Sequence, residues 1–235
     1  MSESEDASRR GARTALVTGA SSGIGEAISR RLLASGWRVI GLSRTRGEID
    51  HAGFAFRQAD LMDEGSLAAA LDGLAPPDAV VHAAGLLRVG TIGALGREDG
   101  RVMWRLHLDA AAQILDRLAP GMPDGGRIVL VGSRTAAGSA GRGLYAASKS
   151  AVVGLARSLA LELAPRGITV NVVAPGATDT PMLRDPARGA VTPRTPPIGR
   201  FVRPEEVAGL VAFLLSDDAG SITGQQLLVC GGASL

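Results

Sequence analysis

The sequence predicts a single doubly wound α/β domain, a mostly parallel central sheet with helices on both faces. Three observations predict it. Apolar, β-rich runs alternate with helical patterns from end to end of the 235 residues. The strand candidates read as near-continuous apolar runs, as strands covered on both faces do. The first strand leads through a Gly-rich turn straight into a helix.

The elements follow in order. The first strand covers Thr14–Thr18, and a helix is expected near Ile24–Ala34. The second strand is Trp37–Leu42, the third a brief run at Phe54–Arg57, and Ser66–Leu74 reads as a helix. Ala79–His82 is the fourth strand. A long helix near Glu98–Leu118 is ended by Pro120-Gly121. Arg127–Gly132 is the fifth strand. Tyr145–Leu163 is helical, stopped by Pro165 and Gly167. Ile168–Val173 is the sixth strand, Pro204–Leu215 a helix with proline in its first turn, and Gln226–Val229 the last strand. Ligands of such sheets bind beyond the carboxyl ends of the strands, so chemistry is expected after strands one, four, five and six.

Composition excludes several classes. The chain is 46% hydrophobic and 20% charged, which suits one compact domain. No apolar run approaches the ~18 residues of a membrane span. Met1–Ala12 is polar and mixed in charge, unlike a signal or transit peptide, and is expected to be a disordered tail before a domain at 13–235. The single cysteine, Cys230, excludes an internal disulfide and cannot build a cysteine-based metal site alone, so no metal is expected. A cytoplasmic protein follows by default. The pI of 9.3 misleads, because 25 basic side chains face 23 acidic ones and the net charge is only +2. Aromatics are 3% and no basic cluster interleaves with them, so nucleic-acid binding is unsupported.

Thr18-Gly19-Ala20-Ser21-Ser22-Gly23-Ile24-Gly25 follows the first strand and opens the first helix. Glycine lets the backbone approach a pyrophosphate without a Cβ clash. The helix N-terminus offers free N–H groups and the positive end of its dipole. With a strand before and a helix after, this turn reads as the dinucleotide site of a Rossmann-type domain. An acid at the end of strand two would bind the adenosine 2′-hydroxyl. Ser43-Arg44-Thr45-Arg46 holds none, and arginine pairs bidentately with phosphate. NADP(H) is therefore favoured over NAD(H), with Arg44 ahead of Arg46, although a solvated arginine would look the same. Asp60, with Leu61 beside it, can bond the adenine amino group or belong to a helix N-cap region. Ala83-Ala84-Gly85 leave strand four with side chains small enough to give a ribose room.

All but one of the 25 basic residues are arginine. The one lysine, Lys149, lies four residues after the one tyrosine, Tyr145. On a helix those positions share a face. Position 149 asks for a compact ammonium with rotatable donors in place of a planar guanidinium. An ammonium stabilises a phenolate and lowers the tyrosine pKa from about 10. The tyrosine can then act as general acid or base near neutral pH. Ser133, at the end of strand five, can hydrogen-bond a substrate oxygen.

At these residues the chain resembles the short-chain dehydrogenase/reductase (SDR) family. Gly19-(x)3-Gly23-x-Gly25, Asp60, Ala83-Ala84-Gly85, Ser133, Tyr145-(x)3-Lys149 and Pro175-Gly176 stand in the family's order, over about Arg13 to the C-terminus. The resemblance implies that Tyr145 donates or accepts the proton and Ser133 positions the carbonyl or hydroxyl. It implies that Lys149 bonds the nicotinamide ribose, Pro175-Gly176 shapes the nicotinamide pocket, and Thr178 and Thr180 hold the carboxamide and phosphate side. It also implies a homodimer or homotetramer, often through the two long helices. Alanine-rich faces there, such as Ala151, Ala156 and Ala160, suit close helix contact or internal packing equally.

The sequence departs from the family at three points. His107 stands where the family usually has Asn after strand four, either as a relay residue holding a water or as a packed core histidine. His82-Ala83-Ala84-Gly85 replaces the frequent Asn-Asn-Ala-Gly. Ser133 precedes Tyr145 by twelve residues against the usual thirteen.

Substrate contacts are expected from Leu86-Leu87-Arg88, from the Arg134–Leu144 loop and from a short lid around 181–203 holding Met182, Leu183 and Thr192–Pro197. Arg88, Arg134 and Arg142 can bind a carboxylate or phosphate, or be ordinary surface arginines. The expected activity interconverts a secondary alcohol and a ketone on a small, possibly cyclic metabolite, with reduction favoured. Segments at 85–90, 178–182 and 231–235 are similar to dehydrogenases of 2,3-dihydro-2,3-dihydroxybenzoate, which use NAD, and a 3-oxoacyl reductase fits nearly as well. A cofactor-binding regulator or scaffold on the same fold is the non-enzyme alternative, against which retention of Tyr145 and Lys149 argues.

Overall fold

The structure, a computed structural model, describes residues 12–185 and 193–235. The expected tail, apart from Ala12, and lid residues 186–192 lie outside the described residues. Seven strands form one sheet: β1 (Thr14–Thr18), β2 (Arg38–Ser43), β3 (Phe54–Gln58), β4 (Ala79–His82), β5 (Arg127–Val131), β6 (Thr169–Pro175) and β7 (Gln226–Val229). The order is β3-β2-β1-β4-β5-β6-β7. Every adjacent pair is parallel, so the sheet is wholly rather than mostly parallel. The helices are α1 (Gly23–Ala34), α2 (Glu64–Leu71), α3 (Arg97–Trp104), α4 (Ala110–Leu118), α5 (Gly143–Leu163) and α6 (Pro204–Leu214).

Strand residues alternate between two cores, because successive side chains leave a strand on opposite faces. Leu16, Val80, Ile128, Leu130 and Val172 face α2, α4 and α5, packing on Leu67, Ile114 and Val152. Val17, Val81, Val129, Val131 and Val173 face α1 and α6, packing on Ile28, Val207 and Val211. Both faces are thus covered, which is why the strands carry no polar alternation. Ala156 and Ala160 of α5 belong to the first core and serve internal packing, whereas Ala151 is half-buried outside it.

Element boundaries differ from expectation where side chains cap. The helix expected at Ser66–Leu74 begins earlier, at Glu64, because Asp63 Oδ1 accepts the Ser66 N–H at 2.6 Å. It ends at Leu71, short of Gly73 with its left-handed φ of 64°. The single helix expected at Glu98–Leu118 is broken by a π-helical turn at Arg105–Asp109. Ala110 N–H donates to the carbonyl of Arg105, five residues back, where α-helical geometry would use Leu106. No helix among the described residues is long and apolar enough to cross a membrane.

The outer edge of the sheet depends on Asn171, which is fully buried on β6. Its Nδ2 donates to Ile222 O at 2.6 Å and its Oδ1 accepts Gln225 N–H at 3.1 Å, docking the turn that starts β7. Asn171→Leu keeps the branched outline, with a larger side chain, and removes both bonds. It is expected to lower the unfolding free energy by about 1–3 kcal/mol in urea titration.

Candidate active site

β1 and β4 are neighbours whose chain connections run in opposite directions, and a crevice opens beyond their carboxyl ends. It is a cleft of about 1200 Å³. Gly19 turns the chain out of β1 with φ at 69°, and a Cβ there would lie 2.9 Å from Ala84 Cα. A Cβ at Gly25 would lie 2.2 Å from the Gly19 carbonyl oxygen. Neither position has room for a side chain. The N-terminus of α1 therefore abuts the strand turn, and Gly19, Ser21, Ser22, Gly23, Ile24 and Gly25 line the cleft.

Ser43 and Arg44 form the wall at the end of β2, with Asp60 and Leu61 after β3. Arg44 is exposed and also lines an adjoining pocket of about 610 Å³ with Arg57 and Asp60, whereas Arg46 lines neither. Asp60 Oδ1 accepts the Met62 N–H at 3.0 Å, and the N-cap of α2 is Asp63. Ala83, Ala84 and Gly85 line the cleft after β4, and so do Pro175 at the end of β6 and Gly176, Thr178 and Thr180 after it. Thr178 and Thr180 direct their hydroxyl protons to Gly176 O and Thr178 O, at 3.1 and 3.4 Å.

Ser133, Tyr145 and Lys149 meet on the same cleft wall. Ser133 follows β5 by two residues, and its Oγ accepts the Thr135 N–H at 3.1 Å. The Tyr145 ring is buried against Leu87 and Met103. Lys149 is 4% exposed, and its ammonium donates to Val131 O at 2.9 Å. Burial pushes its pKa down from 10.5 to about 7.

Two candidates lie behind the wall. Thr18 and His107 are fully buried and do not line the cleft. Thr18 Oγ1 accepts N–H bonds from Ala83 and Ala84, both at 3.1 Å, so its own proton goes to His82 Nδ1 at 3.1 Å. His82 then carries its proton on Nε2 and donates to Leu106 O at 3.0 Å. That carbonyl belongs to the π-helical turn. His107 Nε2 accepts the Leu86 N–H at 3.1 Å, so Nδ1 carries the proton and donates to Ser148 Oγ at 3.0 Å. Ser148 passes its own proton to Tyr145 O at 2.8 Å. The His107 ring also meets Tyr145 edge-on, with centroids 5.6 Å apart. Both nitrogens of His107 are thus committed to protein groups, as a packed core histidine requires. His82, Ser148 and the Val131 carbonyl were not expected as parts of the site. The one sequence signal was the histidine replacing asparagine before Ala83.

Both rings are held neutral. Burial, then the charge of Lys149, pushes His82 from 6.5 to about 4. The same two causes, followed by His82 itself, push His107 well below its usual value. Above pH 6.5 neither folded nor unfolded chain protonates His82, whereas between 6.5 and about 4 only the unfolded chain does. Stability therefore falls as pH drops through that window. His82→Gln keeps a donor and an acceptor but does not titrate. Relative to this variant, the natural protein is expected to lose about 1 kcal/mol per pH unit across the window in chemical denaturation. Parallel pH profiles for the two proteins would contradict the neutral assignment.

The sequence profile of the family described as Enoyl-(Acyl carrier protein) reductase matches residues 19–234. The ketoacyl reductase named for the monensin polyketide synthase in Streptomyces virginiae is 39% identical over 255 residues, spanning 94% of this chain and 96% of that protein. The 3-oxoacyl-(acyl-carrier-protein) reductase of Salmonella typhimurium is 35% identical over 236 residues, spanning 94% and 96%. Among solved structures, a singly substituted form of the actinorhodin polyketide ketoreductase with NADPH superposes with a TM-score of 0.82 at 32% identity, covering 95% of this chain and 97% of that one. The Gly-rich cradle, the small residues after β4 and the buried ammonium fit a nicotinamide dinucleotide in the cleft. With the profile match, the relatives and the geometry in agreement, this chain belongs to the short-chain dehydrogenase/reductase family of nicotinamide-dependent oxidoreductases acting on keto and hydroxyl groups.

Proposed function

We propose that the chain is an NADP(H)-preferring ketoreductase that reduces the ketone of a small 3-oxo compound to a secondary alcohol. The observation that carries this reading is the convergence of Tyr145, Lys149 and Ser133 on one cleft wall, with the lysine buried. When bound, a reduced nicotinamide supplies the hydride for the carbonyl carbon. Tyr145 gives its hydroxyl proton to the ketone oxygen. Ser133 Oγ–H orients that oxygen. Lys149 stabilises the phenolate that remains and is itself held by Val131 O.

The preference for NADP(H) is supported by Arg44 at the cleft wall and by the lack of any acid across Ser43–Arg46. A guanidinium there pairs with a 2′-phosphate, whereas an acid would repel it. The 3-oxo class is supported by the names of the ketoacyl and 3-oxoacyl reductases among the relatives. The same reading carries a cytoplasmic homodimer or homotetramer. Exposed Trp104 at the end of α3 and Leu161 on α5 supply apolar contact surface for it.

Two measurements test the proposal. Tyr145→Phe is expected to lower kcat about 100- to 10,000-fold while NADPH still binds, followed by its fluorescence. Turnover at the natural rate would remove Tyr145 from the mechanism. Arg44→Ala is expected to weaken NADPH binding about 10- to 100-fold and leave NADH binding unchanged. An equal effect on both nucleotides, or a natural preference for NADH, would overturn the cofactor reading.

A further inference from the structure

The substrate end of the cleft is one-sided in charge. Arg134, Arg142 and Arg194 line it, and among the described residues the only side-chain carboxylate on the cleft wall, Asp60, stands at the other end beside Arg44. Among the described residues, no carboxylate pairs with these three arginines. Nearby Arg88 differs, with Asp185 at 3.5 Å and Asp99 at 3.9 Å.

Arg142 is the most constrained of the three. Its Nε is buried and has no hydrogen-bond partner. Its backbone is fixed on both sides. The N–H donates to Ser139 O at 3.1 Å, and the carbonyl accepts the Ala146 N–H at 2.7 Å. Gly90 bridges to the same residue, donating its N–H to Gly141 O at 3.0 Å. Arg142 is the N-cap of α5 and precedes Tyr145 by three residues, and both line the cleft. Burial holds the guanidinium pKa below its usual value, against the opposing influence of Tyr145. A buried N–H left without an acceptor destabilises the fold, and that deficit is recovered only when an acceptor arrives.

We propose that the cleft takes a substrate bearing a carboxylate close to the reacting ketone, and that Arg142 binds this carboxylate with Arg134 adding charge beside it. The inference rests on the reading of Tyr145 as proton donor. It narrows the substrate from 3-oxo compounds in general to free 3-oxo acids. A thioester or ester of the same acid has no charge at that carboxyl position. The guanidinium fork matches the two oxygens of a carboxylate, and its charge-assisted bonds are stronger than neutral ones.

The test uses 3-oxohexanoate and its methyl ester. In Tyr145→Phe enzyme loaded with NADPH, where turnover is disabled, calorimetry is expected to find the acid binding about 10- to 100-fold tighter than the ester. Adding Arg142→Gln is expected to abolish that advantage. In turnover, Arg142→Gln is expected to lower kcat/KM for the acid about 10- to 100-fold more than for the ester, through KM rather than kcat. Arg142→Lys, which keeps the charge without the fork, is expected to fall between. Equal binding of acid and ester overturns the inference. So does an Arg142→Gln effect equal on both compounds, which would make the residue a support for Tyr145 alone. Acid binding that depends on Arg142, with no turnover of either compound by the natural protein, upholds the carboxylate site and overturns the ketoreductase reading.

Discussion

The architecture of the site turns on the desolvation of one ammonium. Lys149 is buried, and its hydrogen bond goes to a backbone carbonyl at the end of β5. A charge taken out of water without an opposite charge is expensive, so the group holds its proton far less tightly than an exposed lysine. A fold bears that cost only if the surroundings are rigid and add no further positive charge. The sheet supplies rigidity, because β5 lies between β4 and β6 with both faces covered.

The two histidines meet the second condition. Both lie near enough for the lysine charge to act on them, and a proton on either would repel it. Thr18, Leu106, Leu86 and Ser148 assign each ring nitrogen a fixed role in the neutral form. The π-helical turn belongs to the same arrangement. It shifts the Ala110 hydrogen bond from Leu106 to Arg105 and gives the Leu106 carbonyl to His82. Such single wide turns recur where a helix must present backbone groups to a site. The helix carrying Tyr145 and Lys149 is thereby tied through Ser148 to the segment that follows β4.

Much of this was legible in the residues. Apolar runs without alternation announced a doubly covered sheet, and the Gly19–Gly25 spacing placed the cradle. A lone tyrosine four positions before a lone lysine marked the reactive wall. The hydrogen-bond network was not legible, because it depends on contacts between residues 64 positions apart, such as Thr18 and His82. The broken helix was hidden for another reason. Leu106-His107-Leu108 has ordinary helical composition, and the side-chain demand that widens the turn comes from a different strand. Arginines on the surface and in the cleft look alike in a chain with so many. Only pairing separates Arg142 from Arg88, since both are half-buried.

The solitary lysine has a consequence for chemical labelling. It is the only side-chain amine in the protein, and it lines the cleft. Its lowered pKa leaves an appreciable neutral fraction under mildly alkaline conditions, the form that attacks acylating reagents. A small amine-directed reagent therefore finds one internal target, and anything seated in the cleft stands in its path. Modification at that single position becomes a direct read-out of occupancy, free of the background that surface lysines impose on most proteins.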